Sequence, residues 1–121
     1  MVQAVVKVGS RALAAALARE AAERKGADVR VLDVSELLYI TDFFVIVTSQ
    51  SARQTRAIAE AVRAVAKEMT GSKGHAEGAT KSSWVLCDFD TVVVHVLTQE
   101  AREFYDLDAL WADAEEVDYA A

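Results

Sequence analysis

From Arg11 to Lys25 the chain repeats apolar residues at helical spacing, with Leu13, Leu17 and Ala21 four positions apart on one face. Alanine, the strongest helix former, fills much of the rest, so the segment predicts a helix that stops at Gly26. Val29 to Val34 then reads as a short strand and Ser35 to Tyr39 as a helical turn. Phe43-Phe-Val-Ile-Val-Thr48 is apolar on both sides, the pattern of a central strand covered on both faces. Ser51 with Gln54 makes a capping-box signature, and Ile58, Val62, Val65 and Met69 lie on one stripe of the helix it opens. Three of the five glycines fall between Gly71 and Gly78, so residues 71–83 predict a loop with one short edge strand. Trp84 to Asp88 and Val92 to Leu97 form a strand pair, and a short acidic helix follows. From Ala112 onward the chain reads as a frayed, solvated tail.

Helices alternating with strands, then a late hairpin, predict α/β architecture: a mixed sheet flanked by helices. The 121 residues suit a single domain with its own core, spanning 1–121 with the core at about 10–111 and an acidic C-terminal tail. No window approaches the roughly 18 uncharged apolar residues that would span a bilayer. The N-terminus lacks the basic start, apolar run and small-residue cleavage site of a signal peptide. The single cysteine cannot form an internal disulfide, so the expected compartment is the cytoplasm.

Net charge is −6, and its distribution says more than its total. Residues 88–121 hold ten acidic side chains and one basic one, Arg102, for −9; residues 1–87 carry +3. An acidic third repels phosphate backbones and attracts basic surfaces, so direct nucleic-acid recognition is not expected.

Nothing in the chain supplies a nucleophile with a neighbouring base, a metal cage or a phosphate loop. Asp88 and Asp90 form an Asp-x-Asp pair, which nucleotide-transferring enzymes use to hold a divalent metal; the plainer account is a polar hairpin turn. A two-residue turn at Phe89-Asp90 places Trp84 opposite His95 and puts Trp84, Leu86, Asp88, Thr91, Val93 and His95 on one face. Cys87 then falls on the other face as a core thiol, which disfavours a Cys87–His95 dyad. Leu97 continues the Trp84–His95 face. Spacing alone leaves two readings of that face, ordinary packing under a helix or an aromatic-anchored contact surface. His75 stands among glycines without a second ligand. Ser51 to Arg56 offers free amides and two arginines at a helix start, where a simple capped helix is the plainer account.

Four segments, taken together, resemble the ribosomal silencing factors, the Iojap-like family. They are Val31 to Leu37; Ile40 to Ile46; Trp84 to Asp88 with Val92 to Val96; and Glu100 to Leu107 ending at Leu110-Trp111. The resemblance implies a nucleotidyltransferase-like fold without the catalytic motif, no enzymatic activity and no cofactor or metal. It implies binding to the large ribosomal subunit through its protein fourteen at the intersubunit face, steric blockage of subunit joining and so repression of translation, with a possible homodimer. By position, Trp84, Phe89, His95 and Leu97 become the partner-binding residues. The chain departs from the pattern at Ser49-Gln50-Ser51, where relatives have Gly-Thr-Ser, and at Asp90-Thr91, where they have Gly-Asp. The competing readings are a metal-dependent nucleotidyltransferase using Asp88 and Asp90, and a dimeric adaptor whose Trp84 face joins two copies.

Overall fold

The computed structural model describes residues 9–78 and 83–120; the N-terminal stretch read for a signal peptide and residues 79–82 of the glycine-rich loop lie outside the described residues. Elements run α1 (Ser10–Glu23), β1 (Ala27–Asp33), β2 (Phe43–Ser49), α2 (Ala52–Thr70), β3 (His75–Glu77), β4 (Trp84–Asp88), β5 (Val92–Thr98), α3 (Gln99–Tyr105), α4 (Leu107–Leu110) and β6 (Glu115–Val117). Six strands form one sheet in the order β3-β4-β5-β2-β1-β6. The β2–β5 pair is parallel and every other pair antiparallel, so the sheet is mixed and flanked by helices as expected.

β2 is buried at all seven positions, because its two sets of alternating side chains serve two different cores. Phe43, Val45 and Val47 join Leu13, Leu17, Ile58 and Val62 under α1 and α2. Phe44 and Ile46 join Leu32, Leu97, Ala101 and Leu107 under α3 and α4. The alanines of α1 let it lie close to the sheet. Gly26, just past its end, is pressed so tightly that a Cβ there would meet Val47 Cγ1 at 2.5 Å. At the start of α2, Ser51 Oγ accepts from the Gln54 amide at 3.1 Å. The Gln54 side chain reaches back, accepting from the Gln50 amide at 2.6 Å and donating to the Lys25 carbonyl at 3.0 Å, which ties the two helices together.

Two expectations need correction. The segment after Ala112 is not a frayed tail: Glu115–Val117 pairs with β1 as the sheet's outermost strand, and Val117 is buried opposite Val31. Its charge disguised it, since only one of three residues faces the core. The hairpin turn is also displaced. Phe89, expected in the turn, instead pairs with Val92, donating to its carbonyl at 2.9 Å, and Asp90-Thr91 makes the turn. Trp84 therefore lies opposite Leu97, and Leu86 opposite His95. The reason is that Phe89 packs against the helix-side core, which extends the strand, while Asp90 adopts φ 75°, a conformation Asp tolerates. The slip is two residues, so Trp84, Leu86, Asp88, Val93, His95 and Leu97 still share one face and Cys87 keeps the other.

Candidate aromatic contact face

α1 and α2 cover one whole side of the sheet, whereas α3 and α4 cover only part of the other. Over β4 and β5 that second side stays open as a groove of about 370 Å³, walled by Leu38, Ile40, Phe44, Leu86 and Val93, with His95 and Thr41 in its lining and Asp88 and Asp90 at one end. At the other end stands Trp84. Its Nε1–H donates to His95 Nδ1 at 3.2 Å, so the neutral imidazole carries its own proton on Nε2. Burial pushes the His95 pKa down to about 4, which keeps it neutral and an acceptor for Trp84 near neutral pH.

Aromatic rings continue across this side. Trp84 lies 4.8 Å from Tyr105 between ring centroids, Tyr105 meets Phe104 at 5.0 Å, and Phe44 meets His95 at 4.7 Å edge-on. Phe104 is 80% exposed and Tyr105 51%. Ile40 and Tyr39, in the loop before β2, are also exposed. Large apolar side chains left facing water beside a half-buried tryptophan are the composition of a protein-contact surface.

Of the four residues the sequence singled out, the structure brings three together. Trp84 is half-buried at the surface, His95 is buried against it, and Leu97 is fully buried beneath α3, where it supports the face without reaching solvent. Phe89 lies on the opposite side of the sheet, packed on the helix-side core over Gly74. Phe104 and Tyr105 went unnoticed as contact residues. Their signal was two successive aromatics in a short acidic helix, where both cannot point into the core.

The catalytic alternatives find little support in the geometry. Asp88 Oδ1 accepts the Asp90 amide at 2.8 Å, as a turn-forming aspartate does. Cys87 is fully buried in the helix-side core, where desolvation pushes its thiol up to about 11, and it lies across the sheet from His95. His75 is exposed near Glu77. Among the described residues, no three His, Cys, Asp or Glu side chains are grouped to hold a metal ion, and no helix is long and apolar enough to cross a membrane.

The chain is thus a small mixed-sheet α/β domain with an exposed aromatic face beside an open groove. The chain belongs to the family described as "Ribosomal silencing factor during starvation" (RsfS), whose model matches residues 7–121. It is 41% identical over 100 residues to the ribosomal silencing factor RsfS of Chromobacterium violaceum, covering 78% of this chain and 79% of that one. It is 40% identical over 102 residues to the chloroplastic protein Iojap of Zea mays, covering 84% of this chain but 44% of the maize protein. Thus the chain spans less than half the length of that plant relative. A crystal structure of a Chromobacterium violaceum protein superposes with a TM-score of 0.76 at 35% identity, covering 89% of this chain and 90% of the other. A second, from Bacillus halodurans, gives 0.69 at 31% identity, with 85% and 94% covered.

Proposed function

We propose that this protein is a translation repressor that docks on the large ribosomal subunit through the Trp84 face and keeps the small subunit from joining. The single observation that carries the reading is the exposed aromatic run Trp84–Tyr105–Phe104 beside an uncovered sheet groove, in a chain of the ribosomal silencing family. The partner on the subunit is its protein fourteen at the intersubunit face, and the mechanism is steric, with no bond made or broken. The acids of α3 suit a basic ribosomal protein. His95 and Leu97 act from below, holding Trp84 in place, and Phe89 holds the hairpin that carries it. The protein works in the cytoplasm.

The test is co-sedimentation with isolated large and small subunits, for the wild type and for Trp84→Ala. Wild-type protein should pellet with the large subunit alone and reduce its joining to the small one. Truncating Trp84 should cost ~2 kcal/mol or more, about a thirtyfold loss of affinity, with the far-UV circular dichroism unchanged. Absence of wild-type binding to either subunit overturns the assignment. If Trp84→Ala instead converts a dimer to a monomer and leaves subunit binding intact, the face is a homodimer contact.

A further inference from the structure

Arg102 is the lone basic residue of the acidic last third, and α3 buries it: 8% of its surface is exposed. Burying a guanidinium is costly unless its donors are matched. Here they are matched on several elements at once. Nε and Nη2 grip the two oxygens of Asp108 in α4, each at 3.0 Å, a bidentate pair. Nη1 donates to Thr48 Oγ1 in β2 at 2.9 Å and to the Asp28 carbonyl in β1 at 2.6 Å. That carbonyl is available because β1 bulges between Ala27 and Arg30, with Asp28 at φ 48°. Asp108 passes the connection on to Arg30, which also holds Glu116 of β6 at 2.9 Å.

α3 has only seven residues and two buried side chains, Ala101 and Arg102 itself. One small alanine gives a short helix little grip on a sheet. Its orientation therefore depends on the guanidinium, and its last two residues are Phe104 and Tyr105. We propose that Arg102 is a positioning residue for the contact face: it locks α3 to the bulge, to β2 and to α4, so that Tyr105 stands against Trp84, and Phe104 against Tyr105, as one preformed platform. This rests on the reading of that face as the ribosome-docking surface. Rigidity set before binding lowers the ordering cost of association, so loosening α3 weakens binding even where the fold survives.

Arg102→Lys keeps the charge but loses the fork, and Thr48→Val removes one acceptor while keeping the volume. Both are placed in a Trp111→Phe background so that Trp84 alone reports by fluorescence. Arg102→Lys should retain its circular dichroism, shift Trp84 emission to the red and lower large-subunit affinity about tenfold. Thr48→Val should move both readouts the same way by less. The decisive comparison adds Tyr105→Ala. If Arg102 acts through the platform, Arg102→Lys costs much less affinity in that background, whereas a merely structural role gives additive losses. Unchanged emission and affinity in a folded Arg102→Lys protein, or additive losses, overturn the proposal. Should Arg102→Lys fail to fold, Thr48→Val with and without Tyr105→Ala decides by the same criterion. Emission also separates this inference from the functional one: a wild type that ignores ribosomes defeats the docking assignment, while a red shift on loosening Arg102 still shows the positioning.

Discussion

The Trp84–His95 hydrogen bond connects a buried ring of this protein to its surface. His95 accepts from Trp84 only while its Nδ1 is unprotonated. Its pKa is depressed from an ordinary 6.5 to about 4 by burial, so the unfolded chain binds the proton more readily than the folded one. The stability linked to this group is therefore present above pH 6.5 and is lost as pH falls from 6.5 toward 4. A shift of this size corresponds to on the order of 3 kcal/mol at full extent. Denaturant unfolding of the wild type should show stability falling across that window, and His95→Gln should flatten it. A slope that survives the substitution places the titration elsewhere. Asp108 has linkage of the same sign at lower pH: its bond to Arg102 leads the causes that hold it down to about 2, so its contribution is lost only as pH falls below its ordinary value near 3.8. At the same scale, Gly74 sits at φ 64°, where a Cβ would meet the Asp88 carbonyl at 2.4 Å and the Phe89 ring at 2.5 Å. Gly74→Ala should cost at least ~1 kcal/mol of stability, read as a lower midpoint in a denaturant melt.

Elements with strong periodicity were legible in the chain, and those defined by a partner were not. The Leu13–Leu17–Ala21 face, the apolar run at Phe43 and the Ser51–Gln54 start each satisfy a local rule, and each stands where that rule puts it. The Phe89-Asp90 turn was misplaced because Asp is at home in several turn positions, and the choice was made by Phe89 packing on α-helical neighbours distant in sequence. β6 is three residues long and mostly charged, so only its pairing with β1 reveals it. The same nonlocality hid Tyr105, whose role depends on standing 4.8 Å from Trp84, twenty-one residues earlier. β6 gives a direct test. Removing residues 112–121 deletes the Val31–Val117 pair and the Arg30–Glu116 ion pair, and uncovers the outer edge of β1. A solvated tail can be cut without effect, but this truncation should lower stability by about 2 kcal/mol or more. Thermal melts of the full and shortened chains check it, and equal midpoints would restore the tail reading.

Taken whole, the molecule separates its charges across the sheet. α1 and α2 cover one side and carry six Lys and Arg side chains against four Glu; α3, α4 and β6, from the acidic third, lie on the other side and at its edge. The net charge of −6 conceals this arrangement. A molecule so polarised is turned by a basic target before contact, acidic side first, which presents the Trp84 platform. Exposed charges contribute little to the bound state, each about 0.2–1 kcal/mol, so their effect belongs mainly to the association rate. Glu100 and Glu103 sit on α3 beside Phe104 and are exposed, whereas Glu60 and Glu68 are exposed on α2, across the sheet. The two pairs have the same charge and differ in side, which makes them matched probes of orientation. Neutralising Glu100 and Glu103 to Gln should slow association with the large subunit and flatten its dependence on salt, leaving dissociation nearly unchanged. Neutralising Glu60 and Glu68 should leave association as fast as the wild type or faster. Stopped-flow association at two ionic strengths distinguishes them. Equal effects from both pairs would mean that the subunit responds only to total charge, and orientation would then have to come from the aromatic contacts alone.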